Sequence, residues 1–91
     1  MLSREEKRCA SGVRRVERQR EKLAETRRGV EANRAAAAAC SDPRACERTA
    51  HRGKTLEARA SNEERQLGRL EAEARTLCDA ATAAAERTKA R

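Results

Sequence analysis

Uncharged residues recur at alternating intervals of three and four along the first half of the chain. One series of seven-residue steps begins at Leu2 and is apolar throughout, and a second begins at Glu5 and is uncharged afterwards. The two series are Leu2, Cys9, Val16, Leu23, Val30 and Ala37, and Glu5, Gly12, Gln19, Thr26, Asn33 and Cys40. Such a heptad stripe predicts an amphipathic helix with a narrow coiled-coil seam.

The second half of the chain repeats this pattern. Its two series are Cys46, Gly53, Ala60, Leu67, Ala74 and Ala81, and Thr49, Leu56, Glu63, Leu70, Leu77 and Ala84. They predict a second helix with a seam of the same kind. Glu63 brings a charge into this seam, and we expect its carboxylate to extend to solvent or to pair with Lys22 or Arg27 at the edge.

The helix boundaries follow from capping signals. Ser3 and Glu6 have capping-box spacing, so the first helix is expected to begin at residue 4. Asp42 is a good N-cap, and Pro43 suits the first position of a helix. We therefore predict a first helix over about 4–40, a turn at 41–42 and a second helix over about 43–88, within a single domain of 1–91.

The four cysteines fit an antiparallel pairing of the two helices. A short turn makes consecutive helices antiparallel neighbours, and Cys40 then faces Cys46 while Cys9 lies beside Cys78. The other pairings join cysteines that a helix separates by roughly 46 Å, whereas a disulfide needs Cα atoms within about 7 Å. The sequence thus predicts an all-α hairpin with disulfides Cys9–Cys78 and Cys40–Cys46. The alternative is a reduced coiled coil with four free thiols.

Composition argues against a catalytic role. The chain has no Phe, Tyr or Trp, its hydrophobic fraction is 37%, and 41% of its residues are charged. Because ligand pockets need concave and largely apolar walls, we predict no enzyme and no catalytic or cofactor-binding residue. His51 and the cysteines lack the spacing of a zinc site, so we expect no metal and a solvent-facing His51. No apolar run is long enough to span a bilayer.

The net charge of +7 lies mainly in the first half of the chain. Arginines at 14–18 and 27–28 are candidates for phosphate contacts, but Glu17, Glu21 and Glu25 interleave with them and no aromatic residue is present. We therefore expect no nucleic-acid partner. The outward faces carry few apolar residues besides Val13, so we expect them to dock electrostatically on other protein subunits or on lipid headgroups.

The arrangement of two helices joined by two disulfides resembles a known family. The placement of Cys9, Cys40, Cys46 and Cys78 resembles the coiled-coil-helix-coiled-coil-helix proteins of the mitochondrial intermembrane space, especially the long-spaced variant in the hinge subunit of the cytochrome bc1 complex. The resemblance covers residues 9–78. The cysteine spacing is far wider than the family's twin pattern, and the chain is basic where the hinge subunit is acidic. The resemblance implies a non-catalytic accessory subunit of a respiratory complex, facing the intermembrane space.

The expected compartment agrees with this resemblance. Disulfides persist in oxidising compartments, and residues 1–6 lack an apolar signal segment and contain two acids. We therefore expect entry into the intermembrane space without a cleaved presequence, as the family implies. Two alternatives remain, namely an RNA-contacting mitochondrial ribosomal component and a periplasmic or phage-derived bacterial hairpin.

Overall fold

The computed structural model describes residues 2–90, which form two helices joined by a short turn. Helix α1 spans Arg4–Ala39 and helix α2 spans Pro43–Lys89. The two helices pack antiparallel, because disulfides join Cys9 to Cys78 and Cys40 to Cys46. No strand occurs among the described residues. The predicted all-α antiparallel hairpin with two interhelical disulfides is confirmed.

The capping residues explain where the helices begin. The Glu6 amide donates to Ser3 Oγ at 3.1 Å, and the Ser3 amide donates to Glu6 Oε1 at 3.2 Å, which is the reciprocal capping box. At the start of α2, the Ala45 amide donates to Asp42 Oδ2 at 3.0 Å. Helix α1 ends at Ala39 rather than at Cys40. Pro43 disfavours helical geometry at the preceding residue, so the chain leaves the helix before it.

The contacts within the hairpin form two compact units. The terminal unit comprises Met1–Arg20 and Gln66–Arg91, and the turn unit comprises Glu21–Arg65. Each unit contains a stretch of both helices and one of the two disulfides. Each unit therefore has its own set of packed residues.

The predicted seam is the part of each unit that is removed from solvent. Among the described seam positions, all but Leu2 and Ala37 are buried or half-buried. In the turn unit the most buried apolar residue is Leu23, with 3% of its surface exposed, and Val30 lies beside it in the series. In the terminal unit Val16 and Ala74 are buried. Burying one such aliphatic side chain contributes about 1.5–3 kcal/mol, so a core this small provides limited stability.

Gly12 lies where the two helices of the terminal unit are in close contact. In the terminal unit, a Cβ atom built on Gly12 would lie 3.3 Å from the Ala74 Cα atom and 3.2 Å from Leu77 Cδ1. On Gly68, by contrast, a Cβ atom would meet nothing within 4 Å. Gly12 is therefore needed for close packing, whereas Gly68 leaves its surroundings empty.

This contrast gives a matched pair of stability predictions. We expect Gly68→Ala to raise the free energy of unfolding by about 1 kcal/mol, because alanine has the higher helix propensity. Gly12→Ala gains the same propensity but forces the backbone of α2 away, so it should be about 1–3 kcal/mol less stable than Gly68→Ala. Urea unfolding followed by circular dichroism measures both. Equal stabilisation by the two substitutions would show that the helices can separate there without loss.

Candidate functional site

The disulfides are the most specific feature of the structure. Cys9 and Cys78 have Cα atoms 4.5 Å apart in the terminal unit, and Cys40 and Cys46 have Cα atoms 5.5 Å apart in the turn unit. Both distances lie within the range that disulfides normally span. No cysteine among residues 2–90 is free, so the predicted pairing is confirmed and the four-thiol alternative is wrong. Two such bonds fit an oxidising compartment.

The loops that these disulfides close differ greatly in size. Cys9 and Cys78 are 69 residues apart in sequence, whereas Cys40 and Cys46 are 6 residues apart. The entropy that a cross-link removes from the unfolded chain grows with the length of the closed loop. The Cys9–Cys78 bond is therefore the stronger constraint on the unfolded chain.

A polar pair lies inside the seam of the turn unit. Glu63 has only 6% of its surface exposed, and its Oε1 atom accepts a hydrogen bond from the Thr26 hydroxyl. The expectation that Glu63 extends to solvent is wrong. Thr26 is short enough to leave room for the carboxylate and supplies a donor to it. A buried charge requires hydrogen-bond partners, so this contact is central to the turn unit.

A second polar contact in the turn unit sets the register near the turn. Asn33 Nδ2 donates to the Thr49 carbonyl oxygen at 3.1 Å. A Cβ atom on Gly53 would lie 2.7 Å from that nitrogen, so only glycine leaves Asn33 its place. Polar residues at seam positions commonly specify register in coiled coils, and this contact fits such a role.

Ion pairs between the helices flank the seam in both units. Each joins an arginine of α1 to a glutamate of α2 across 3.1 to 3.6 Å. Their side chains are more than a third exposed, so each pair contributes only about 0–1 kcal/mol. Three of these ion pairs have a signal in the sequence, because Arg20, Arg27 and Arg34 are spaced seven residues apart beside the seam. The seam residues alone do not predict these ion pairs. The pairs are Arg15–Glu73 and Arg20–Glu71 in the terminal unit, and Arg27–Glu64 and Arg34–Glu57 in the turn unit.

The surface beside the seam has open grooves lined by both charged and uncharged side chains. In the turn unit, Lys22, Arg59 and Asn62 line a groove over Glu63. In the terminal unit, Val13 lines a groove beside Cys78, and 41% of its surface is exposed. Leu2, with 54% exposed, is the other large apolar residue at the described surface. The outward faces are therefore polar, with Val13 as the expected exception.

His51 lies at an exposed position of α2, as its spacing predicts. Within residues 2–90, no group of three or more His, Cys, Asp or Glu residues converges as metal ligands would. Neither helix contains, in the part that the structure describes, a stretch apolar enough to cross a membrane.

Comparison with known proteins gives no relative for this arrangement. No protein-family profile matches the chain, and no curated protein or solved structure is significantly similar to it.

Proposed function

We propose that this chain is a non-catalytic structural subunit that braces a larger assembly in an oxidising compartment. The observation that carries the proposal is the pair of interhelical disulfides, one in each unit, which hold two helices together around a small core. A hairpin fixed in this way presents charged helix faces in a defined arrangement within each unit. Such faces are suited to docking rather than to enclosing a substrate.

In its finer form, the proposed assembly is a respiratory complex of the mitochondrial inner membrane, with the hairpin on the intermembrane-space side. The support for this is the resemblance of the stapled hairpin to coiled-coil-helix-coiled-coil-helix proteins, together with the oxidising compartment that two disulfides require. The resemblance is one of architecture and is carried by Cys9, Cys40, Cys46 and Cys78.

The test is the redox state and the fractionation of the native protein. We expect all four cysteines to resist a maleimide reagent until a reductant is added, because the native chain is oxidised. We also expect the chain to migrate with an inner-membrane complex on native gels, and to become accessible to protease once the outer membrane is ruptured. Reactive cysteines in native material, or a chain that migrates alone, would contradict the proposed role.

Docking of the hairpin on its assembly should be sensitive to salt. Its described surface has few apolar anchors apart from Val13 and Leu2, so its contacts are mainly between charged groups, which salt screens. We expect washing of isolated membranes with increasing salt to release the hairpin, while subunits held by apolar contacts remain. Retention at high salt would show that Val13 or Leu2 anchors an apolar interface.

A further inference from the structure

One face of α1 in the terminal unit is strongly basic. A set of residues that follow one another at intervals of one or three forms this face, and we call it the basic face: Arg4, Lys7, Arg8, Ser11, Arg14, Arg15 and Arg18. At 3.6 residues per turn these residues share an arc of about 120° over about 21 Å of helix. All six basic residues are exposed except Arg15, which is half-buried.

The neighbouring acids do not neutralise this face. Glu17 and Glu21 lie about 60° and 20° beyond one edge of the arc, three residues after Arg14 and Arg18, so they offset charge only along that edge. Glu5 is half-buried at its seam position, and Glu6 is engaged in the cap with Ser3. Glu73 of α2 contacts the face through Arg15, at 3.2 Å. Between residues 4 and 18, the arc therefore carries six basic side chains and no acidic one.

We propose that the basic face docks on the surface of an anionic lipid bilayer. Polybasic surfaces adsorb to such membranes with roughly a five-fold gain in partitioning for each basic residue. The guanidinium group forms paired hydrogen bonds with phosphate and carboxylate oxygens, which are the acceptors that anionic headgroups present. The proposal goes beyond the proposed accessory role, because it assigns one face of α1 to lipid headgroups where the sequence left protein subunits and lipid as alternatives.

The composition of the face favours a membrane over other anionic partners. Protein interfaces concentrate their binding energy in anchors that fill well-packed, desolvated pockets. This face supplies arginines, but it has no aromatic or apolar side chain beside them to pack in such a pocket. Single-stranded nucleic acid is held by stacking on aromatic rings, which the chain lacks. Disulfides are also rare in cytosolic and nuclear proteins, so the two disulfides of this chain argue against a nucleic-acid partner in those compartments. A fluid headgroup layer adapts to the face and requires no pocket.

The apolar side of α1 gives a limit on the depth of binding. Membrane-surface helices insert an apolar face into the headgroup region, but in α1 that face is the seam, where Val16 is buried against α2. The hairpin should therefore adsorb by charge alone, without insertion and without loss of the seam.

The experiment measures partitioning of the oxidised full-length chain onto vesicles in a sedimentation assay. We expect binding to phosphatidylcholine vesicles that contain roughly one-third phosphatidylserine, and none to pure phosphatidylcholine. The triple variant Lys7→Gln, Arg14→Gln, Arg18→Gln should bind the anionic vesicles roughly 100-fold more weakly. Glutamine is a good helix former, and circular dichroism will verify that the variant remains helical.

A matched control removes the same charge elsewhere. Arg28→Gln, Lys54→Gln and Arg75→Gln also replace one lysine and two arginines at exposed positions, all outside the basic face. We expect this control to lose no more than roughly five-fold, since its three residues are not part of the face that contacts the headgroups and the attraction of other charges is weakened by screening. Equal losses in the two triple variants would overturn the proposal, because binding would then follow net charge alone.

A charge-preserving variant and an RNA competitor separate the membrane from other partners. Arg8→Lys, Arg14→Lys and Arg18→Lys together should keep vesicle binding within roughly three-fold, because adsorption depends on charge. A loss as large as that of the glutamine variant would indicate a shaped site for a protein partner and overturn the proposal. Tighter binding to duplex RNA than to the anionic vesicles would overturn it in favour of a nucleic-acid partner. Failure of vesicle binding leaves the proposed bracing role intact, whereas reactive thiols in native material contradict only that role.

Discussion

Replacing Cys9 and Cys78 with alanine should lower the free energy of unfolding by about 4 kcal/mol, whereas replacing Cys40 and Cys46 should lower it by about 2 kcal/mol. The difference comes from the loops that the two bonds close, with sequence separations of 69 and 6 residues. The loop at the turn is also closed by other means, because Asp42 caps α2 through the Ala45 amide at 3.0 Å. The longer loop has no comparable local support.

Loss of the Cys9–Cys78 bond should destabilise mainly the terminal unit. Val16 and Ala74 are its buried apolar residues, and Glu5 occupies one of its seam positions. The seam continues only through alanines beyond Leu77, at Ala81 and Ala84, and both are half-buried. This unit therefore has little apolar burial to hold its helices together when the bond is removed.

Hydrogen exchange and urea unfolding of the two double variants test this prediction. Backbone amides of residues 4–20 and 66–89 should lose protection when Cys9 and Cys78 are alanine, and retain it when Cys40 and Cys46 are alanine. The second double variant is the control, since it also removes one disulfide. Protection of the terminal unit in both variants would mean that the seam, not the disulfide, holds these helices together.

The fold could be predicted from the sequence because its strongest signals are local or periodic. The heptad series fixed which residues form the seam, and the capping residues placed both helix starts where the structure has them. The disulfide pairing then followed from geometry, because helices place Cys9 too far from Cys40 for a bond. Leu2 and Ala37 lie at the ends of their series and are exposed, since there the stripe continues beyond the packed region.

The surface was predicted less well, because charge along a sequence differs from charge around a helix. Along the chain Glu17 stands between Arg14 and Arg18, but around the helix it lies at one edge of the basic face and not within its arc. The burial of Glu63 could not be predicted from its own position in the heptad series. It depends on the residue across the seam, Thr26, which is far away in sequence. A role in an assembly depends on partners outside the chain, and no pattern within one chain identifies them.

We expect the hairpin with the buried Thr26–Glu63 hydrogen bond to be no more stable than a variant with apolar residues at both positions. Thr26→Val removes a hydrogen bond to a buried carboxylate, and we expect it to lower the free energy of unfolding by about 1.5–3 kcal/mol. Combining Thr26→Val with Glu63→Leu replaces both polar groups by apolar ones. Replacing both partners of a buried hydrogen bond by apolar groups of similar shape is often nearly neutral or stabilising, so the double variant should be at least as stable as the natural chain.

A double-mutant cycle measured by urea unfolding gives the coupling between Thr26 and Glu63 directly. Glu64→Leu is the matched control, because Glu64 is the next residue of α2, is exposed and pairs with Arg27 at 3.6 Å, and it should change stability by less than about 1 kcal/mol. The double variant should still form the disulfides Cys9–Cys78 and Cys40–Cys46. We expect the seam to keep its register without Glu63, so the paired cysteines should remain opposite each other. If the double variant is instead clearly less stable than the natural chain, the buried carboxylate contributes net stabilisation, and its hydrogen bonds more than offset the cost of removing it from water.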